Sequence, residues 1–249
     1  MVKIVLTPDW FLGFDVLIEI FSFIVLAIFC ILSIQNYRLN KGKKSFLYMG
    51  IGFGLIALAQ LATIFTKTVL YYDFGIVQQV GQAIIANRIV SSVDIFYYIG
   101  FFFYRFLTLT GLYIIYRIHN KRTYLGDTIL FGYFILLSAL LSTEMYYFFH
   151  LTAIAVLLLI TRNYYGIYKE NHFSNTQILL AAFVILALSQ VLFIFSNGAL
   201  QATANIVELI SYTFLLFLAI KIKKDGKKKK QDGNNIRYAG SNPAKGRKH

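Results

Sequence analysis

Two side chains of opposite charge, Arg105 and Glu208, lie inside long apolar segments of this chain. A charged side chain at the centre of a bilayer costs about 2.5–3.5 kcal/mol on insertion scales, so such residues are usually paired and face the interior of a helix bundle. At 1.5 Å per helical residue, each lies about 18–20 Å from the basic residue that ends its segment. We therefore predict that Arg105 and Glu208 form an ion pair near mid-membrane, at the centre of a ligand-binding site.

Other polar residues extend this predicted centre. Side chains three or four residues apart share one face of an α-helix. On this basis we predict that eight further residues line a pocket in the outer half of the membrane: Glu19, Gln60, Asp94, Tyr98, His150, Gln190, Asn205 and Tyr212. The alternative is that these groups only hydrogen-bond one helix to another, at about 0.6 kcal/mol per contact. We favour that alternative for Gln60 and Gln190, and a functional role for Arg105 and Glu208.

Few other residues could act as catalytic groups or as ligands of a cofactor or metal. No nucleophile lies at a spacing that would pair it with a base, so we predict no catalytic residues and a non-enzymatic protein. His150 is the one histidine deep in an apolar segment, which leaves no histidine pair for a haem, and we predict no cofactor. Glu19, Asp94, Glu208 and His150 lack the short spacing typical of metal ligands, so we predict no metal. Cys30 has no second cysteine to form a disulfide with.

A glycine-rich segment, Gly50–Gly54, resembles a phosphate-binding loop only in its glycines. It has neither a preceding strand nor the Lys-Ser/Thr that grips a nucleotide. Small residues at this spacing are typical of helix faces that pack closely in membranes. We predict that Gly50–Gly54 is such a face.

The elements that carry these residues are membrane spans. The chain has 249 residues, of which 58% are apolar and 14% charged, whereas soluble proteins have about 25% charged residues. A bilayer core requires about 20 apolar residues per helix. The predicted spans are Phe11–Ile34, Phe46–Phe65, Val93–Tyr116, Tyr124–Leu141, Met145–Tyr165, Gln177–Phe195 and Ala202–Ile220. The predicted fold class is all-α, a multi-pass protein of the cell membrane with seven transmembrane helices.

Basic residues predict the orientation. Twenty of the 24 lysines and arginines fall in the first, third and fifth loops and in the C-terminal tail, and only Lys3, Lys67 and Arg88 lie on the other side. Since basic loops stay in the cytoplasm, the N-terminus is predicted outside and the C-terminus inside. We divide the chain into a transmembrane domain, residues 1–222, and a disordered basic tail, residues 223–249. The tail would bind anionic lipid headgroups.

An internal repeat accompanies these spans. Gly54–Phe65 resembles Val184–Phe195 at an offset of 130, and Tyr104–Ile118 resembles Glu208–Ile222 at an offset of 104. Helices 1–3 and 5–7 are therefore predicted to be parallel repeats joined by helix 4, a 3+1+3 layout. The alternative is chance similarity between segments rich in leucine, isoleucine and phenylalanine.

Three resemblances follow from these patterns. The 3+1+3 layout resembles the SWEET sugar transporters, although their Pro-Gln motifs are absent because Gln60 and Gln190 follow Ala59 and Ser189. The seven spans are similar in layout to microbial rhodopsins and G-protein-coupled receptors, but the last helix has no lysine before Lys221 for retinal attachment. The pattern of helices 6 and 7 around Gln190 and Glu208 resembles seven-helix sensor modules of prokaryotic membranes, which implies a sensing function.

The leading functional hypothesis is a seven-helix module that binds a small ligand from the outer side, or a partner protein. In this hypothesis the predicted Arg105–Glu208 pair reports occupancy to an unknown cytoplasmic partner protein. Two alternatives remain open, a transporter of small solutes or ions and a membrane scaffold or assembly factor.

Overall fold

The computed structural model describes the backbone of residues 9–11, 13–39, 43–79, 86–118, 125–142, 145–195 and 198–240. Side chains are described for residues 10–11, 13–39, 43–69, 97–118, 125–142, 145–195 and 198–224. A short 3-10 helix, Asp9–Phe11, precedes seven α-helices: α1 (Phe14–Leu39), α2 (Lys44–Gln79), α3 (Ala86–Arg117), α4 (Leu125–Leu141), α5 (Tyr147–Asn171), α6 (Ser174–Ile194) and α7 (Gly198–Gly240). This confirms the predicted all-α fold with seven helices.

Six of the seven helices have a segment of 21 to 27 residues that is long and apolar enough to cross a membrane. The exception is α4, which is apolar but has only 17 residues, close to the lower limit of about 17 for a span. Helices suit lipid because every backbone hydrogen bond is made within the segment. The chain is therefore a multi-pass membrane protein, while its orientation and the membrane that holds it stay predictions.

Two helices extend more than ten residues beyond their predicted spans. The helical backbone of α2 continues to Gln79, and that of α7 continues to Gly240, past residue 222 where the predicted tail begins. The basic residues from 225 onward lie outside the described side chains. Lipid binding by this tail therefore stays a prediction.

Six helices form a ring. The successive contacts are α1–α2, α2–α3, α3–α5, α5–α6, α6–α7 and α7–α1, while α4 lies outside the ring and packs on α3 and α5. Exchanging the triplet α1–α3 with the triplet α5–α7 leaves this order unchanged. That is the symmetry expected of parallel repeats, although the repeat itself stays a prediction.

Neighbouring helices in sequence run antiparallel. Lys67, late in α2, bonds to Glu19, early in α1, and Lys221, late in α7, donates to Ser174 at the start of α6. We call the end of the bundle where α1 begins the N-side and the opposite end the C-side.

Glycines set the spacing of the first triplet. A Cβ on Gly111 of α3 would lie 2.7 Å from the Gly52 carbonyl oxygen of α2, and one on Gly50 or Gly54 would lie 3.1 Å from side-chain atoms of α1. Contacts this short have no room for a methyl group. The predicted close-packing face of α2 is therefore confirmed, and it faces both α1 and α3.

The C-side half of the ring is filled with apolar side chains. Buried residues there come from all six ring helices: Phe29, Phe53, Leu112, Ile115, Leu157, Ile160, Phe183 and Leu215. Their packing closes the axis of the ring toward the C-side. Polar buried residues are concentrated in the N-side half, which directs attention to that end.

Candidate functional site

A buried ion-pair triad joins α1 to α2 on the N-side. Lys67 Nζ lies 2.9 Å from Asp15 Oδ2 and 2.5 Å from Glu19 Oε1. Asp15 and Glu19 are four residues apart and share one face of α1. Asp15 also accepts a hydrogen bond from the Gly13 N–H at 3.2 Å, near the helix N-terminus where a negative charge is favoured. One ammonium group thus bridges two carboxylates across the helix pair.

Breaking the triad is expected to destabilise the folded bundle. Removing one member of a buried pair costs about 3–5 kcal/mol, because the other charge is left uncompensated. Glu19 Oε2 is buried and has no hydrogen-bond partner among the described residues. This oxygen is therefore able to accept a further hydrogen bond.

A close approach of α2 to α3 lies beside the triad. A Cβ on Gly100 of α3 would overlap the Thr66 side chain, which neighbours Lys67 in α2. The Thr66 hydroxyl is already bonded to the Ala62 carbonyl at 2.8 Å. Gly100 therefore lets α3 come close to α2 at the level of the charged residues.

Arg105 of α3 is buried, but it does not pair with Glu208. The two side chains are both described, and no ion pair within 4.0 Å joins them. The guanidinium instead lies over the Phe101 ring, 5.8 Å from its centroid. It is also close enough to three tyrosines to interact with them electrostatically: Tyr97, Tyr104 and Tyr146. The predicted direct ion pair is therefore not formed, because each charge has partners from a different set of residues.

Glu208 of α7 belongs to a hydrogen-bond chain that crosses the ring. Gln60 Nε2 of α2 donates to the Tyr212 hydroxyl at 3.3 Å, and that hydroxyl donates to Glu208 Oε1 at 3.2 Å. Tyr212 is one helical turn from Glu208, so both side chains point to the same side of α7. The predicted candidates Gln60, Glu208 and Tyr212 are thus brought together.

A second, neutral contact joins α5 to α6. His150 Nδ1 and Gln190 Oε1 are 2.8 Å apart, and both side chains are buried. The imidazole is stacked on Phe193 with ring centroids 5.2 Å apart. These two predicted candidates therefore meet in a contact that holds two helices together.

A small cavity lies on the axis of the ring, where all six ring helices contribute to its wall. The part of the cavity that the centre of a water molecule can occupy has a volume of about 20 Å³. Its polar lining consists of Gln60, Tyr104, Thr108, Gln190, Glu208 and Tyr212. Apolar residues make up most of the wall and close the C-side end, so the cavity is a small, largely apolar chamber with a few polar groups, beneath the charged N-side layer.

The remaining candidates lie elsewhere. Tyr98 is 36% exposed and packs edge-on against Tyr97, and it does not line the chamber. Asn205 is half-buried and is likewise not part of the chamber wall. The side chain of Asp94 lies outside the described residues. Glu19 is buried, but in the triad.

From the sequence we predict a central ion pair of Arg105 with Glu208 and no partner for Glu19. Lys67 appears there only as a basic residue of the outer side and not as a site residue. The signal was present, since Asp15 and Glu19 are four residues apart at the N-side end of α1 and Lys67 is at the N-side end of the neighbouring span. Adjacent antiparallel helices bring such ends together.

Comparison of the chain with protein-family models, with curated proteins and with solved structures gives no match.

Proposed function

We propose that this chain is a non-enzymatic membrane module that binds a small anionic ligand in the N-side half of its helix ring, with Arg105 supplying the positive charge. The observation that carries the proposal is that Arg105 is buried, with only 6% of the residue exposed, and that no carboxylate lies within 4.0 Å of its guanidinium among the described side chains.

The immediate contacts of Arg105 support a ligand at this position. Inside a bilayer, an arginine is normally paired or bonded to polar groups, because a lone charge is costly. Lys67 lies within 4.0 Å of two carboxylates, whereas Arg105 has an aromatic ring and tyrosines around it. A guanidinium presents five N–H donors in a fixed fork that matches a carboxylate or phosphate. A ligand anion would therefore provide the missing counter-charge.

The surroundings also favour a small ligand. Tyr97, Tyr104 and Tyr146 offer hydroxyl groups near the guanidinium, and a tyrosine hydroxyl is able to donate to an anion. The apolar C-side core below would keep a bound ligand from passing through. These features support ligand binding from one side, as expected of a sensor.

Thermal unfolding of the purified protein in potassium salts tests the proposal. Chloride, acetate, benzoate and phosphate would be compared at equal ionic strength. At least one of these anions is expected to raise the melting temperature of the wild type, because binding stabilises the folded state, by about 2.7 kcal/mol at one hundred times Kd. In Arg105→Gln the same anion is expected to have no effect.

Arg162→Gln is the matched control, since Arg162 is an exposed arginine near the C-side end of α5. Its response to anions is expected to equal that of the wild type. The proposal fails if no anion stabilises the wild type more than it stabilises Arg105→Gln.

A transporter is the second candidate, and the symmetric order of contacts in the ring favours it. Parallel repeats about an axis along the membrane normal occur in transporters that alternate between two open states. Reconstituted vesicles distinguish the two functions. A sensor is expected to bind the stabilising anion without exchanging it across the vesicle membrane, whereas a transporter would exchange it in an Arg105-dependent manner.

A further inference from the structure

The axial chamber contains one carboxylate that the anion site at Arg105 does not use. Glu208 is buried, and its hydrogen-bond partners are neutral groups, the Tyr212 hydroxyl and the Gln60 side chain. Among the described side chains, Lys67 is ion-paired to Asp15 and Glu19, and no cation lies within 4.0 Å of Glu208. A carboxylate near mid-membrane must be neutralised by a proton or a cation.

A second group in the chamber wall also lacks a partner. Threonines in helices commonly donate to the carbonyl four residues back, and Thr63, Thr66 and Thr110 do so here. Thr108 Oγ1 is buried without any hydrogen-bond partner. Thr108 is the one threonine among the described residues of the chamber wall, and its hydroxyl is available to a ligand in the chamber.

The size of the chamber limits its occupant. A space of about 20 Å³ for a water centre accommodates about one water-sized particle. Its lining offers oxygen atoms from a carboxylate, hydroxyls and amides, which are the ligands that hard cations prefer. A single carboxylate balances one positive charge, whereas a divalent ion would leave a net charge buried in a low-dielectric interior.

We infer that the axial chamber binds one monovalent cation of sodium's size, with Glu208 as the charged ligand and Thr108 as a neutral oxygen ligand. Tyr104, Gln60 and Gln190 are the other polar residues of the wall that the inference uses. The cation site depends on Glu208 and the anion site on Arg105, so each is tested by its own variant. A bound cation would neutralise Glu208 and hold α3 and α7 together across the ring.

Melting temperatures of the purified protein in sodium, potassium and choline chloride at equal ionic strength test this inference. Sodium is expected to raise the melting temperature of the wild type above its value in choline chloride, since choline is too large for the chamber. Glu208→Gln is expected to abolish this difference. Thr108→Val keeps the side-chain shape and is expected to weaken the apparent sodium affinity by about tenfold, the lower end of the effects seen on altering a metal's surroundings.

Two matched variants control for the substitutions themselves. Thr110→Val removes a hydroxyl from the same helix, but that hydroxyl is bonded to the Phe106 carbonyl at 2.7 Å and lies outside the chamber wall. Glu170→Gln removes an exposed carboxylate at the end of α5. Both are expected to keep the full sodium response.

Equal melting temperatures of the wild type in all three salts would overturn the inference, because the chamber would then hold only water or a protonated carboxyl group. A sodium response that persists in Glu208→Gln would also overturn it, since the ion would bind elsewhere. If Glu208→Gln does not fold, Thr108→Val decides: an unchanged sodium affinity contradicts the inference.

Discussion

The two helix triplets, α1–α3 and α5–α7, have equivalent contacts in the ring but hold together in different ways. The first is packed through glycines and carries the Lys67 triad and Arg105. The second is joined by neutral bonds, between His150 and Gln190 at 2.8 Å and from the Ser211 hydroxyl to the Ala182 carbonyl at 2.8 Å. Among the described side chains of the second triplet, Glu208 is the one charged residue that is buried.

The difference shows where charge is tolerated in this bundle. Helices that approach closely through glycine bring side-chain termini of one helix within bonding distance of the next. Between α1 and α2, one lysine lies within bonding distance of two carboxylates. Where the helices are joined by hydroxyl and amide groups, the buried carboxylate of Glu208 in α7 has only hydrogen bonds among the described side chains. We therefore expect the first triplet to be the more sensitive to substitution.

The largest expected effect is that of Lys67→Met, which removes the ammonium group that bridges the buried carboxylates of Asp15 and Glu19. The free energy of unfolding, measured by SDS titration in mixed micelles, is expected to fall by about 3–5 kcal/mol. Neutralising both carboxylates in the same chain, as Asp15→Asn and Glu19→Gln, is expected to restore much of the loss. A loss in Lys67→Met no larger than that of the exposed control Arg162→Gln would contradict the importance of the triad.

A smaller effect is expected from Gly111→Ala, which places a methyl group 2.7 Å from the Gly52 carbonyl oxygen. Because the obstacle is backbone, α2 and α3 must move apart, and we expect a loss of about 1–3 kcal/mol in the same titration.

Gly166→Ala is the matched control for Gly111→Ala, since Gly166 of α5 is exposed and no atom lies within 4 Å of its added Cβ. Alanine is favoured over glycine in a helix by about 0.5–1 kcal/mol, so this variant is expected to be no less stable than the wild type. Equal losses in the two variants would contradict glycine-dependent packing of the first triplet.

The two glutamines at repeat-related positions provide a finer comparison. Gln190→Leu leaves His150 without its 2.8 Å partner, whereas Gln60→Leu removes a 3.3 Å bond to Tyr212. Hydrogen bonds between membrane helices contribute about 0.6 kcal/mol on average and at most about 1.7 kcal/mol. We expect the loss for Gln190→Leu to exceed that for Gln60→Leu when both are measured by SDS titration. The reverse order would contradict the assignment of the stronger neutral contact to the second triplet.

The fold followed from the sequence because each span is long, apolar and free of proline. Hydropathy over about 20 residues identifies helices without knowledge of their neighbours. The glycine face of α2 was equally accessible, since small residues at close spacing have few other uses in a membrane helix.

The partners of the buried charges could not be predicted in the same way. Arg105 and Glu208 lie at one depth, but depth does not determine the direction in which a side chain points around the helix axis. That direction depends on the rotation of each helix about its own axis in the ring. The sequence pattern does not determine this rotation accurately enough to identify the partner of a side chain. Lys67 was therefore overlooked as the partner of Glu19, although both are at the N-side end of neighbouring helices.

We propose that Arg105 and Glu208 act independently at two different sites, and a double-mutant cycle tests this proposal most directly. The free energy of unfolding would be measured for Arg105→Gln, for Glu208→Gln and for the double variant. Independent residues are additive within about 0.3–0.5 kcal/mol, and we predict this result. A double variant more stable than additivity predicts, by about 1 kcal/mol or more, would reveal a direct ion pair and contradict the separation of the two sites.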